Sequence, residues 1–105
     1  MVTRGEIWMV RLDPTVGSEI QKTRPCVVVS PDGLSHLQTF IVVPMTTGSH
    51  ATRFRPAVTF DGKQGLLLPD QIRTVARARM IRHMGAIDDQ TLTDLLATLR
   101  TMFED

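Results

Sequence analysis

The first 87 residues consist of short apolar runs separated by turn-forming residues. Each run is about four to eight residues long, which is the length of a β-strand and too short for most helices. Strands are predicted at 5–12, 25–30, 39–46, 56–60, 65–69 and 72–77, with a further short segment at 82–87. Short strands with turn signals between them favour a small barrel of five to seven strands.

At the end of the chain the apolar residues recur with a different spacing. From residue 88 onward, apolar residues recur at helical spacing, and Asp88 is placed to cap the first turn. The predicted apolar stripe consists of Leu92, Leu95, Leu96, Leu99, Met102 and Phe103. The sequence therefore predicts a β-rich α+β fold with a C-terminal helix, in a single domain covering residues 1–105.

Composition excludes several classes of protein. No apolar run approaches the roughly 20 residues of a membrane span, and the N-terminus lacks the pattern of a secretory signal. The single cysteine, Cys26, excludes an internal disulfide and fits a reducing cytoplasm. Because it lies within an apolar run, Cys26 is interpreted as a core residue and not as a nucleophile.

Charge is distributed unevenly along the chain. Residues 1–87 hold 11 Lys and Arg against 6 Asp and Glu, a net of +5, whereas residues 88–105 hold 1 against 5, a net of −4. Ten of the 12 basic residues are arginine, whose planar fork suits phosphate. The pattern indicates either a nucleic-acid-binding face or an ordinary solvated surface.

Metal and cofactor chemistry have no support in the sequence. His36, His50 and His83 are scattered at no metal-ligand spacing, and one cysteine cannot build a zinc site. There is no glycine-rich phosphate loop and no nucleophile elbow. Neither a metal nor a cofactor is therefore expected.

Several polar residues stand at the ends of the predicted strands, and in a small barrel such ends converge on one rim. Arg24 directly precedes Pro25, which fixes its own φ and holds Arg24 in an extended conformation at the mouth of an apolar strand. Thr46 ends the third strand. A rim of this kind can bind phosphate and read bases. The alternative is that Arg24 pairs with Glu19 and that Thr46 only satisfies a turn.

Three sequence blocks bear on this choice: RGEIWMVRLDPTVGSEIQKTRPCVVVS, then VVPMTT, then GLLLPDQIRTVARAR. In this order and spacing they resemble the MazF/PemK (Kid-like) toxins of bacterial toxin–antitoxin systems, from Arg4 to about Gly85. The resemblance implies an SH3-like or CcdB-like barrel that forms a homodimer. It also implies an endoribonuclease that cuts single-stranded RNA at a short sequence without metal, leaving a 2′,3′-cyclic phosphate and a 5′-hydroxyl. The implied partner is an antitoxin with an acidic tail.

The resemblance assigns roles to individual residues. The catalytic Arg and Thr of the family fall on Arg24 and Thr46, and the acidic residue of its G-S-E loop falls on Glu19, which is the third catalytic candidate. The candidate substrate-binding residues are Ser18, Lys22, Thr47, Asp70, Gln71 and Arg79. The chain also departs from the family. Residues 20–22 read Ile-Gln-Lys, and Leu68 stands where the Kid-type subgroup has an arginine two positions before Asp70. The Arg/Asp pair proposed for Kid is therefore incomplete here, which favours the Arg24 and Thr46 arrangement.

Two other functions compete with the nuclease. A DNA-gyrase poison of the CcdB type has a similar fold, but those proteins share a Trp-Gly-Ile C-terminus and this chain ends Met-Phe-Glu-Asp. A passive RNA- or peptide-binding barrel would be expected to expose aromatic stacking platforms. The chain has only one Trp and four Phe, most of them at positions predicted for the core.

Overall fold

The computed structural model describes residues 1–105 and contains seven strands and one helix. The strands are β1 (Glu6–Arg11), β2 (Thr23–Val28), β3 (Thr39–Thr47), β4 (Ala57–Phe60), β5 (Lys63–Leu67), β6 (Arg73–Ala76) and β7 (Met80–Ala86). The helix α1 (Asp89–Met102) follows β7. The predicted β-rich fold with a C-terminal helix is confirmed.

All strand pairings are antiparallel, and the sheet curls into a half-barrel. Hydrogen-bonded neighbours follow the order β4-β5-β3-β2-β1-β7, and β6 adds to β3. The nine-residue strand β3 has two partners on one edge: residues 39–42 pair with β6, and residues 45–47 pair with β5. Strand β3 therefore joins the β4–β5 hairpin to the rest of the sheet.

Strand β2 is central and buried on both faces. Its residues Cys26, Val27 and Val28 are at most 1% exposed, and it pairs with β1 on one side and β3 on the other. A strand covered on both faces is expected to be continuously apolar rather than alternating. The prediction of a central strand from the run of valines is confirmed.

The sheet separates two apolar clusters because alternate side chains point to opposite faces. The first cluster contains Val2, Val10, Leu12, Cys26, Val28, Phe40, Val42, Val75 and Met80. The second contains Ile7, Val27, Val29, Val43, Met45, Val58, Leu67 and Leu95. Neighbouring residues such as Val27 and Val28 thus belong to different clusters, and a one-residue slip of β2 would exchange them.

Helix α1 covers the second cluster. Leu95 is fully buried there, and Leu96 and Leu99 pack against the same cluster. Asp88 caps the helix as predicted, since its Oδ1 accepts a hydrogen bond from the N–H of Thr91 at 2.7 Å. Phe103, predicted to continue the stripe, follows the last helical residue and is 73% exposed. No helix in the protein has the length and apolarity needed to cross a membrane.

Three short 3₁₀ segments were not predicted: Asp32–Leu37, Pro69–Gln71 and Arg77–Arg79. The strand bounds also shift by a few residues. Strand β5 ends at Leu67, not at residue 69, because Pro69 begins a 3₁₀ turn in place of continuing the ladder. Strand β2 begins at Thr23, so Arg24 is part of the strand and does not merely precede it.

Gly65 lets β5 approach β3 closely. A Cβ at this position would lie 2.6 Å from the carbonyl oxygen of Thr46, which is backbone and cannot turn away. We expect Gly65→Ala to lower the free energy of unfolding by about 1–3 kcal/mol, the usual cost of overpacking. Denaturant unfolding measures this loss. Gly33→Ala is the matched control, since nothing lies within 4 Å of its Cβ position. Equal losses of stability in both variants would show that the close approach of Gly65 to Thr46 is not the cause.

Candidate active site

The antiparallel register between β2 and β3 brings Arg24 and Thr46 together. The pairing aligns Val28 with Val42 and Cys26 with Pro44. Continuing the same register by two residues places Arg24 opposite Thr46. The ladder ends at Pro44, which has no N–H to donate, and the polar pair lies just beyond that end. Two residues that are 22 positions apart in the chain thus become cross-strand neighbours.

The Arg24 side chain is held in a defined direction. Its Nε donates to the carbonyl oxygen of Gln21 at 3.0 Å, and its Nη1 lies 3.4 Å from Oγ1 of Thr46. Arg24 forms no ion pair with Glu19. The structure therefore does not contain the Arg24–Glu19 pair that the alternative, purely structural role of Arg24 requires. The guanidinium is half-buried and has no carboxylate partner. Its remaining donors are available to an anion.

Arg24 and Thr46 line a cavity of about 250 Å³. Its polar lining comprises Arg24, Thr46, Thr47, Asp61, Lys63 and Gln64, and its apolar lining includes Met9, Pro25, Met45, Val58, Phe60 and Met84. A positively charged group at the wall of an apolar cavity is a suitable place for a phosphate, because the surroundings screen its charge less than water does.

The only thiol does not take part in this site. Burial raises the pKa of the Cys26 thiol to about 12, despite the nearby charges of Arg73 and Arg24. Its Sγ contacts the carbonyl oxygen of Arg24 at 3.6 Å from within the core. A thiol that stays protonated at neutral pH is a poor nucleophile. This agrees with its interpretation as a core residue.

A second group of predicted site residues lines a separate groove. Ser18, Glu19, Asp70 and Gln71 border this groove together with Pro14, Ile20, Ile72 and Arg73. The sequence predicted a single rim, whereas the structure distributes the polar residues between the cavity and the groove. Glu19 here accepts a hydrogen bond from the N–H of Val16 at 2.6 Å, which folds its loop back on itself.

Gln71 connects this groove to the long loop between β1 and β2. Its Oε1 accepts a hydrogen bond from the N–H of Ile20, and its Nε2 lies 3.4 Å from the carbonyl oxygen of Ser18. Both contacts span more than 50 positions of sequence. In this structure the Gln71 side chain therefore binds the backbone of the loop that carries Ser18 and Glu19.

Asp70 has a partner that the sequence did not indicate. Arg55 binds it through two parallel hydrogen bonds, of 2.9 Å to Oδ1 and 2.7 Å to Oδ2. The hydrogen bond from Arg55 holds the pKa of the Asp70 carboxyl below its usual range. The positive charge facing Asp70 is therefore supplied by the loop before β4.

The two remaining candidate residues lie outside the linings of the cavity and the groove. Arg79 donates from Nη1 to the carbonyl oxygens of Arg11 and Asp13, at 3.0 and 2.6 Å, and thereby holds the end of β1. Lys22 is exposed with a positive φ of 72°, directly before β2. Their roles in substrate binding stay predictions.

Lys63 and Gln64 were missed by sequence reasoning. They lie at the start of β5 and are among the residues that line the same cavity as Arg24 and Thr46. In the sequence they follow Asp61-Gly62 and look like ordinary residues of a turn. The pairing of β5 with the end of β3 is what brings them to the site, and that pairing is not readable from local sequence.

The sequence matches a profile described as "PemK-like, MazF-like toxin of type II toxin-antitoxin system" over residues 3–103. This covers nearly the whole chain. The protein belongs to this toxin family. Endoribonuclease PemK of Escherichia coli is 36% identical over 94% of this chain and 80% of its own length. Endoribonuclease MazF9 of Mycobacterium tuberculosis is 35% identical over 95% of this chain and 94% of its own length.

Solved structures show the same fold. MazF from Deinococcus radiodurans superposes with a TM-score of 0.84 at 20% identity, covering 96% of this chain and 94% of that one. A mycobacterial endoribonuclease, in complex with its cognate antitoxin, gives 0.80 at 18% identity, covering 96% and 93%. The predicted membership in the MazF/PemK family is thus confirmed by sequence, and the predicted small β-rich barrel fold with a C-terminal helix is confirmed by structure.

The Arg55–Asp70 pair gives a prediction of pH dependence. Both side chains are about two-fifths exposed, at 41% and 40%, and exposed pairs contribute only ~0–1 kcal/mol. Asp70→Asn should therefore lower the free energy of unfolding by at most about 1 kcal/mol at neutral pH. The pKa of Asp70 is lower in the folded state than in the unfolded state, so the ion pair stabilises the protein fully at pH values above the ordinary carboxyl pKa. This stabilisation is lost as the pH falls through the pKa of Asp70 in the folded state.

Denaturant unfolding of wild type and Asp70→Asn, at neutral pH and in increasingly acidic buffers, measures this contribution. Arg55→Gln should give the same difference, and the double variant should lose no more than either single variant does. A difference between wild type and Asp70→Asn that stays constant in acid would rule out the ion pair as its origin.

Proposed function

We propose that the protein is a toxin endoribonuclease that cleaves single-stranded RNA at a short specific sequence without a metal ion. The observation that carries this proposal is the 3.4 Å contact between Arg24 and Thr46 at the wall of the cavity. The named activity of PemK and MazF9, both more than a third identical to this chain, supports it. The substrate is placed with its scissile phosphate against Arg24.

In the proposed reaction, the 2′-oxygen of the RNA attacks the adjacent phosphorus. The bond from phosphorus to the 5′-oxygen breaks, and the products carry a 2′,3′-cyclic phosphate and a 5′-hydroxyl. Arg24 stabilises the charge that develops on the non-bridging oxygens through charge-assisted hydrogen bonds. The Thr46 hydroxyl donates one further hydrogen bond to the same group. The proton of the 2′-hydroxyl passes to a base, and the leaving oxygen gains a proton.

Two groups are candidates for the base. A guanidinium, with an ordinary pKa above ~12, is a poor proton acceptor. The Glu19 carboxylate is chemically better suited, yet it lines the groove and not the cavity of Arg24. The family resemblance points to Arg24 as the base, whereas chemistry alone favours Glu19, and a substitution can separate their roles.

Glu19→Gln removes the carboxylate and retains an oxygen that can accept the Val16 hydrogen bond. If Glu19 takes the proton, the cleavage rate should collapse and the acidic limb of the pH–rate profile should vanish. A rate near that of the wild type would assign Glu19 to shaping the loop. Single-turnover cleavage across a pH series distinguishes these results.

The activity itself is tested with a long single-stranded RNA in excess chelator. We expect discrete fragments with 5′-hydroxyl and cyclic-phosphate ends, because the 2′-hydroxyl supplies the nucleophile that a metal would otherwise generate. A matched substrate with a 2′-deoxy sugar at the cut should stay intact. Cleavage of the deoxy substrate, or activity that disappears with chelator, would refute the mechanism.

Arg24→Lys tests geometry separately from charge. Lysine keeps the positive charge and loses the planar fork, so the affinity for RNA should change little. The cleavage rate should fall by a factor of about 10²–10³, which is typical for the loss of one hydrogen-bond donor to the transition state. Single-turnover rates, RNA affinity and thermal melts measure these effects. Arg100→Lys, at an exposed position of α1, is the control and should cut at the wild-type rate. Normal cutting by a stably folded Arg24→Ala would remove Arg24 from the site.

The proposed partners are those that the family resemblance implies, and the basic charge around Arg24 is compatible with them. An antitoxin with an acidic, disordered tail would compete with RNA for Arg24 and its basic neighbours and would fold as it binds. The mycobacterial endoribonuclease solved with its cognate antitoxin supports an antitoxin as a partner. The homodimer implied by the family resemblance stays a prediction, which light scattering at micromolar concentration can test.

A further inference from the structure

Lys22 has an unusual backbone conformation for a lysine. Three residues other than glycine have a positive φ in this protein: Lys22 at 72°, Gln38 at 60° and Asp61 at 55°. Gln38 ends the 3₁₀ segment Asp32–Leu37, and Asp61 lies at the tip of the β4–β5 hairpin, so both belong to ordinary turns. Lys22 instead directly precedes strand β2, and its Cβ disfavours the left-handed region. Such a conformation persists where the surrounding contacts impose it.

The backbone is held on both sides of Lys22. Its own carbonyl oxygen accepts a hydrogen bond from the N–H of Leu12 at 2.9 Å, and the residues after it pair with β1. On the other side, the N–H of Ile20 is bound by Gln71. Because peptide groups are planar and the chain after Lys22 is fixed by β1, the φ of Lys22 sets the direction of the Gln21 carbonyl.

The Gln21 carbonyl is the acceptor that orients Arg24. Its oxygen accepts the hydrogen bond from Nε of Arg24 at 3.0 Å, while Nη1 lies 3.4 Å from Oγ1 of Thr46. With Nε engaged on the backbone, the remaining donors of the guanidinium are on its two Nη atoms, which can bind two oxygens of one phosphate. If the carbonyl pointed elsewhere, the guanidinium would lose this anchor, and a misplacement of about 1 Å can lower a rate by about 10².

The Lys22 ammonium takes no part in these contacts. It forms no ion pair, and Lys22 lines neither the cavity nor the groove. Resting on the proposed nuclease function, we infer that Lys22 is a positioning residue for cleavage. Its left-handed backbone directs the Gln21 carbonyl onto Nε of Arg24 and thereby fixes the orientation of the guanidinium. The side chain itself is replaceable by any residue that tolerates a positive φ.

The experiment compares substitutions of Lys22 that remove the same charge and differ in their tolerance of a positive φ. Single-turnover cleavage at saturating RNA, RNA affinity and thermal melting are measured for each. Lys22→Gly and Lys22→Asn accept the left-handed region and should keep a rate close to that of the wild type. Lys22→Val, whose branched Cβ disfavours this region, should lower the rate by about 10², and Lys22→Ala should fall between. RNA affinity should be the same in all four.

Two controls test whether the effect passes through Arg24. In the Arg24→Lys background, whose side chain has no Nε, Lys22→Val should lower the rate little further, because the contact it disturbs is already absent. Gln38→Val places the same branched side chain at a second positive φ, outside the cavity lining. It should lower the melting temperature and leave the rate of the folded protein unchanged.

The outcomes separate this inference from the proposed function. An RNA left uncut by the wild type would overturn both. A wild-type rate in a folded Lys22→Val would overturn the inference alone. Equal rate losses in Lys22→Gly and Lys22→Val would also overturn it, because the ammonium and not the backbone would then be responsible. If Lys22→Val does not fold, the comparison of Lys22→Gly with Lys22→Ala decides, and equal rates in these two would overturn the inference.

Discussion

The antiparallel register between β2 and β3 is the constraint on which both the core and the candidate site depend. It sends Val27 and Val28 to opposite clusters, and the same alignment sets Arg24 across from Thr46. A slip by one residue would turn apolar side chains toward the wrong cluster. The core thus fixes the geometry of the polar pair, because the register that buries the valines is also the register that aligns the catalytic candidates.

Much of the fold could be predicted from local patterns. The valine run of β2 indicated a strand covered on both faces, and helical spacing after residue 88 indicated α1; the structure contains both. The 3₁₀ segment Asp32–Leu37 could not be found this way, since it buries no residue and leaves no periodic apolar pattern. Phe103 fits the helical spacing but lies past the point where the helix ends.

The site was less accessible to sequence reasoning because its contacts are long-range. Arg24 was singled out by the neighbouring proline, yet its position beside Thr46 depends on strand pairing. Asp70 and Gln71 are adjacent in the chain but contact different segments, Asp70 binding Arg55 and Gln71 binding the loop before β2. Nothing in the local sequence separates Lys63 and Gln64, which begin β5, from the turn residues before them. Local sequence thus indicated which residues to consider, and tertiary pairing decided their neighbours.

The attachment of the β4–β5 hairpin has a consequence for how such a scaffold can diversify. The hairpin is anchored at Gly65 through backbone contact with Thr46, so its anchorage does not depend on the side chains at 61–64. Those side chains can change while Arg24 and Thr46 stay in place, provided that the tip keeps residues that tolerate positive φ. The tip of the hairpin can therefore vary in sequence without displacing the polar pair at the end of β2 and β3.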